Sequence, residues 1–170
     1  MMETLYYSVW NSPVGLLLLA ASERGLLKLE FHAKSRQVPA SSSTNQWVES
    51  RAKLEPYRRE LEEYFAGQRR RFSLALDLRG TEFQKRCWRA LLEIPYGETR
   101  TYAEVARAVG RPRAFRAVGG ANHDNPIAIV VPCHRVIASD GTLGGYGGGL
   151  ALKEKLLRLE GAPLQAGLVF

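Results

Sequence analysis

TYAEVARAVGRPRAFRAVGGA, residues 101–121, is the stretch on which the fold turns. Tyr102, Val105, Ala106 and Val109 recur at steps of three and four, the period of one helix face, and predict a helix from about Thr101 to Val109. Gly110-Arg111-Pro112 breaks it, and Pro112 suits the first turn of a following helix that runs to about Ala121. Two short helices joined by a glycine turn make a helix-turn-helix unit. Ala103, Ala106, Ala114, Ala117 and Gly119 would let the helices pack closely. From Arg100 to Arg116 there are five arginines (Arg100, Arg107, Arg111, Arg113, Arg116) against one acid, Glu104, in a chain whose formal net charge is +7. A solvated basic surface is the plain reading of such a run. Charge on this geometry points instead to nucleic acid.

Working towards the N-terminus, Thr81 can cap a helix carrying Phe83, Cys87, Trp88, Leu91 and Leu92 on one stripe, stopped by Pro95-Tyr96-Gly97. Cys87 lies on that stripe and is expected to pack. Before Gly80 the pattern changes. Leu5, Tyr7 and Val9 alternate as a strand, Asn11-Ser12-Pro13 turns, and Val14–Ala20 and Gly25–Phe31 read as two more strands. Residues 37–45 form a polar, serine-rich connection without periodicity. Leu54, Tyr57, Leu61, Tyr64 and Phe65 predict a helix ended by Gly67, and Phe72, Leu74, Leu76 and Leu78 alternate as a further strand. The expected fold is therefore α+β: residues 1–79 a small antiparallel sheet with a helix, packed on a mainly helical domain, residues 80–170, that contains the helix-turn-helix.

Downstream, Val131-Pro132-Cys133-His134-Arg135-Val136 sets a possible nucleophile beside a possible base and a cation. The apolar run Ile127–Val131 reads as a buried strand delivering Cys133 to the mouth of a pocket. Adjacent side chains of a strand point to opposite faces, so Cys133 and His134 can cooperate only across a bend at Pro132 or just after it. On these six residues alone, an inert core thiol and a nucleophile stay equally open. Leu150, Lys153, Leu156 and Leu157 begin a last helix that carries Glu160 before Gly161 and Pro163.

Composition narrows the setting. The chain has 170 residues, 45% hydrophobic and 24% charged, as ordinary globular proteins have. Two cysteines make no secreted disulfide framework, and Leu16–Ala21 is too short to cross a bilayer, so a cytoplasmic protein without membrane contact is expected.

Taken together, residues 80–170 closely resemble the O6-alkylguanine-DNA alkyltransferase family. The resemblance rests on Gly80-Thr81 with Phe83-Gln84, Ile94-Pro95-Tyr96-Gly97, Thr101-Tyr102, Arg116-Ala117-Val118-Gly119, Asn125-Pro126, Pro132-Cys133-His134-Arg135-Val136, Gly144–Gly149, and Lys153 with Leu156-Leu157 and Glu160-Gly161, in the family's order and spacing. It implies direct-reversal repair of double-stranded DNA. An O6-alkylguanine is flipped from the duplex and its alkyl group passes irreversibly to Cys133. His134 would be the base, acting through a water, and Glu160 the carboxylate orienting it. Asn125 would fix the turn before the cysteine, and Arg135 would hold this architecture together without being a catalyst. Tyr102 would stabilise the departing guanine and help rotate a phosphate. Arg116 would fill the space left by the base. Ala114, Phe115, Ala117 and Gly120, with Arg111 and Arg113, would face the minor groove. Val136, Tyr146, Gly147, Gly148 and Cys133 would line the base pocket.

Two positions depart from the family's habit. Gly147 stands where many members carry serine or alanine, and Phe115 is bulkier than the small residue often found before the finger arginine. Some members bind zinc in the N-terminal domain through cysteines and histidines. Residues 1–79 hold no cysteine and one histidine, His32, so no metal and no cofactor is expected. A monomer in solution is expected, with cooperative coating of DNA and repair of O4-alkylthymine left open. The competing readings are a non-catalytic alkylated-DNA-binding or regulatory protein on the same helices, and a Cys-His hydrolase.

Overall fold

Asn11-Ser12-Pro13 and Ser22-Glu23-Arg24-Gly25 punctuate three strands, and a computed structural model, which describes residues 1–31 and 39–164, shows where they lead. His32 lies outside the described residues. Strands β1 (Glu3–Ser12), β2 (Gly15–Ser22) and β3 (Gly25–Phe31) form an antiparallel meander with Ser12 opposite Gly15 and Ser22 opposite Gly25. Gly25 is required as glycine: at φ +147°, a Cβ there would sit 2.5 Å from the Ala75 carbonyl oxygen. Leu17, Leu18, Leu19, Ala20 and Ala21 are all buried, as a strand covered on both faces requires.

The antiparallel expectation needs correcting, because the sheet is mixed. A fourth strand, β4 (Asn45–Glu49), pairs in parallel with β1, giving the order β3-β2-β1-β4. The serine-rich segment hides its start. Ser42 Oγ accepts from the Thr44 and Asn45 amides, and Ser41 Oγ accepts from Trp47, so hydroxyls set up the turn into the strand. Ser50 then caps α1 (Arg51–Phe65), which buries Leu54, Leu61 and Tyr64. Residues 72–78 are not the strand predicted. They bridge β3 only at Leu76, opposite Leu26, with Leu26 N–H donating to Ala75 and Asp77 N–H to Leu26. Phe72, Leu74, Leu76 and Leu78 are half-buried, while Asp77 is buried as well and accepts a hydrogen bond from the Ser22 hydroxyl.

The chain divides into two compact units between Arg79 and Gly80. In the second, Thr81 and Gln84 form a capping box on α2 (Glu82–Leu92), and Thr101 and Glu104 another on α3 (Tyr102–Ala108). Cys87, Trp88 and Leu91 are buried, as are Val105, Ala106 and Val109. Trp88 also donates its indole N–H to the Ala121 carbonyl at 2.8 Å. Pro112 does not open the next helix. Residues 111–114 make a turn closed by Ala114 N–H to Arg111 O, and α4 runs from Phe115 to His123. A two-residue parallel ladder joins β5 (Arg100–Thr101) to β6 (Val136–Ile137), and α5 spans Leu150–Leu159. None of the described helices is long and apolar enough to cross a membrane.

Candidate functional site

Ile127–Val131 is where the structure departs furthest from the strand predicted. Asn125 takes the run over: its Oδ1 accepts from Ile127 N–H at 3.0 Å and its Nδ2 donates to Val131 O at 2.8 Å. Between these clamps the backbone coils through turns, with Val131 N–H bonded to Ile127 O and Val130 N–H to Ala128 O. Ile127, Ile129, Val130 and Val131 stay buried, so the apolar run is core, but not sheet. Ile129 is forced to φ +71°, a conformation a β-branched residue adopts only where its surroundings over-determine it.

The chain leaves this coil as a single 3-10 turn, Cys133–Arg135. That turn supplies the bend that adjacent Cys133 and His134 need. Asn125 Nδ2 reaches the Cys133 Sγ at 3.2 Å. The His134 ring is fully buried and its Nε2 lies 2.7 Å from Glu160 Oε1, while Nδ1 has no hydrogen-bond partner among the described residues. Arg135 grips the same carboxylate in a fork, Nε to Oε2 and an Nη to Oε1, both at 2.9 Å, and donates its other Nη to Ile94 O at 2.7 Å. Glu160 is the C-cap of α5, so that helix end aims the carboxylate. Gly97, at φ +82°, lets the 95–98 turn approach it; a Cβ there would meet Glu160 O at 3.0 Å.

Electrostatics follow from burial and partners. Burial alone would raise Glu160, but the His134 and Arg135 hydrogen bonds outweigh it and hold the carboxyl at about 2. Burial pushes the His134 imidazole down, further than Glu160 raises it, so the ring rests neutral. Burial pushes the Cys133 thiol up, opposed by the Asn125 hydrogen bond and the charge of Lys153.

Lys153 is the member of the site to which sequence reasoning gave no role. Its side chain is wholly buried, and its ammonium donates to Val136 O and Leu143 O at 2.6 Å and to Gly145 O at 3.1 Å. Burial lowers it to about 8, with Cys133 pulling the other way. The signal was a lysine on the apolar stripe of α5. It ties β6 to the loop 143–145 and already occupies one lone pair of the Val136 carbonyl.

The remaining candidates divide into a pocket and a face. The β5–β6 ladder sets Tyr102, first residue of α3, close to the cysteine turn, and Gly145 gives its hydroxyl a backbone hydrogen bond. Gly144, at φ +72°, permits that approach, since a Cβ would lie 2.9 Å from the Tyr102 hydroxyl. The Tyr146 hydroxyl is buried, and its titration is raised by burial and by Cys133 and Glu160. A Cβ on Gly147 would meet nothing within 4 Å; Gly148 lies beside it, half-buried. On α4, Val118 and Ala121 face inward, while Phe115, Arg116, Ala117 and Gly120 are exposed and Ala114 is half-buried. Arg111 and Arg113 stand exposed in the turn before it.

Residues 82–162 match the DNA-binding domain of 6-O-methylguanine DNA methyltransferase, and residues 5–78 match that protein's ribonuclease-like domain. The chain belongs to this methyltransferase family. A methylated-DNA–protein-cysteine methyltransferase from Methanosarcina barkeri is 52% identical over 158 residues, 92% of this chain and 97% of that one. Among solved structures, Mycobacterium tuberculosis OGT in complex with DNA superposes with a TM-score of 0.82 at 47% identity, covering 93% of this chain and 95% of the other. The O6-methylguanine-DNA methyltransferase of Pyrococcus kodakaraensis gives 0.60 at 28% identity, covering 93% and 99%. The mixed α/β architecture is thus that of the methyltransferases at both ends of the chain.

Proposed function

We propose that this protein repairs O6-alkylguanine in duplex DNA by taking the alkyl group onto Cys133 in a single, irreversible transfer. The observation that carries the reading is the buried line Cys133–His134–Glu160. A thiol stored neutral is followed by a neutral imidazole, whose far nitrogen is 2.7 Å from a carboxylate held ionised. Residues 80–170 supply both the acceptor and the DNA-facing helix.

His134 Nδ1 takes the thiol proton through a water, and Glu160 accepts from Nε2–H and stabilises the imidazolium. The Sγ–C bond forms as the C–O6 bond breaks, and that electron pair stays on guanine, which leaves as the neutral base once a proton is restored to it. The proton that His134 took from the thiol is the one returned, through water, to the guanine, and Tyr102, whose oxygen the Gly145 amide satisfies, would donate an O–H hydrogen bond to the base as charge develops on it. Asn125 and Lys153 favour the thiolate, one by hydrogen bond and the other by charge. The product is a thioether with no leaving path, so each molecule acts once.

A base inside a duplex cannot reach a buried sulfur, so the nucleotide must be extruded. Arg116 on the exposed face of α4 takes its place in the stack. Val136, Tyr146, Gly147 and Gly148 receive the base. Lesion recognition then belongs to the pocket, and α4 needs no base-specific contacts.

Intact mass is the direct test. Mixed with duplex DNA carrying one O6-methylguanine, the protein is expected to gain one methyl, stoichiometrically, on the Cys133 peptide. Cys133→Ala should bind the duplex and gain nothing. Tight binding without a mass change would mark a damage-binding protein instead, and transfer surviving in Cys133→Ala would move the acceptor elsewhere.

A further inference from the structure

Phe115 opens α4 with its side chain in water. Among the described residues four large apolar side chains are exposed: Met1 and Met2 at the chain start, Leu92 at the end of α2, and Phe115, the one aromatic, at 48%. The face behind it is bare. A Cβ on Gly120 would meet nothing within 4 Å, and one on Gly119 only the Tyr102 ring edge at 4.0 Å; neither glycine has a positive φ. Neither packing among the described residues nor backbone conformation asks for glycine there, although glycine weakens a helix interior. The demand comes from outside, from a partner that approaches this backbone closely. Arg111, Arg113 and Arg116 flank the face, no acid occurs between Glu104 and Asp124, and none of the three arginines is in an ion pair among the described residues.

One aromatic and one arginine projecting from the same end of a bare helix, with cations around them, fit a groove walled by phosphates and floored by stacked bases. We propose that Phe115 is a second wedge. Its ring enters the minor groove beside Arg116 and lies against the base-pair step next to the extruded nucleotide, opening it, while Arg116 fills the vacated space. The ring carries no hydrogen-bonding group, so the contact is blind to sequence, and its stacking against a base offsets part of what unstacking costs. The inference rests on the repair function proposed above.

The test compares transfer from O6-methylguanine paired with cytosine in a duplex with transfer from the same strand unpaired, with 2-aminopurine next to the lesion reporting unstacking. In Phe115→Ala the ratio of duplex to single-strand rate should fall about tenfold, and the rise in 2-aminopurine emission on binding should be lost. Phe115→Leu, which keeps an apolar wedge, should retain most of both. An unchanged ratio in Phe115→Ala, or emission that rises as in the parent protein, overturns the proposal. So does a rate that falls equally on both substrates, which would make Phe115 a support for the fold. No alkyl uptake by the unaltered protein from either DNA would instead overturn the function on which the wedge rests.

Discussion

Asp77 and Glu160 are both buried carboxylates gripped by arginine, one in each unit, and their surroundings differ in a way that separates a staple from a site. Asp77 accepts from Ser22 Oγ at 2.6 Å and from Arg79 at 2.7 Å, with Arg24 at 3.6 Å, but the side chains of Arg79 and Arg24 are 36% and 72% exposed. Its cations remain in water, and what the cluster does is pin residues 75–79 against the sheet. Around Glu160 nothing is in water. His134, Arg135 and Lys153 are buried with the carboxylate, and the same unit buries the Cys133 thiol and the carbonyls of Val136 and Leu143 to which Lys153 donates. Burying that many ionisable groups is costly unless each is paired, and hydrophobic residues of equal volume would stabilise as well. Such a cluster is what the proposed transfer asks for, and stability alone does not ask for it.

Breaking each cluster at its arginine gives the widest separation. Arg135→Met leaves an anionic Glu160 in the interior and should lower unfolding free energy by roughly 3–5 kcal/mol. Arg79→Met removes a half-exposed partner and should cost about 1 kcal/mol or less. Urea unfolding of the two variants measures both; equal losses would erase the distinction.

Acid should attack the same point. Glu160 titrates at about 2 in the folded chain, below the ordinary 4.5, so its ionised form stabilises the fold fully above about pH 4.5. That contribution is lost as the pH falls from there through 2, and amounts to something on the order of 3 kcal/mol. Glu160→Gln should flatten the loss of stability between about pH 4.5 and pH 2. A variant that acidifies like the parent protein would show that other carboxylates govern that limb.

Activity should divide the clusters too. Glu160→Gln removes the acceptor that stabilises the His134 imidazolium, and single-turnover transfer should slow about 100-fold. Asp77→Asn should leave the rate alone. A rate lost in Asp77→Asn as well would make the first unit part of the reaction.

How much of this was legible in sequence depended on what held each element. Capping boxes at Thr81/Gln84 and Thr101/Glu104 are local, and α2 and α3 lie close to where their signals put them. The helix-turn-helix and the buried Cys87 followed from periodicity alone. Two readings failed and one strand was missed. Asn125 coils a β-branched run, residues 72–78 bridge β3 at Leu76 alone, and β4 follows the polar connection, set up by hydroxyl hydrogen bonds of Ser41 and Ser42 that periodicity does not show. Pro112 failed differently: its fixed φ serves a turn as readily as a first helical turn. The Cys133–His134–Glu160 line joins residues 27 apart, so the resemblance could name Glu160 but composition could not. Lys153 was visible as a charge on an apolar stripe, yet no local rule says which carbonyls such a lysine will find.

Lys153 stands in the same unit and has two possible parts, a strut or a source of charge. As a strut, it joins Val136, Leu143 and Gly145, and Lys153→Met would loosen the pocket at every pH. As a charge, it lowers the Cys133 thiol and acts only while protonated, which with a value of about 8 means below that pH. Iodoacetamide modification of Cys133 across pH distinguishes them. Loss of the charge should shift the thiol's midpoint upward in Lys153→Met and slow neutral-pH transfer about tenfold, the equivalent of one pKa unit. The parent and variant profiles should then converge above pH 8, where the parent lysine is itself neutral. A constant gap at all pH values would leave Lys153 the strut alone, and would place the activation of Cys133 with Asn125 and His134.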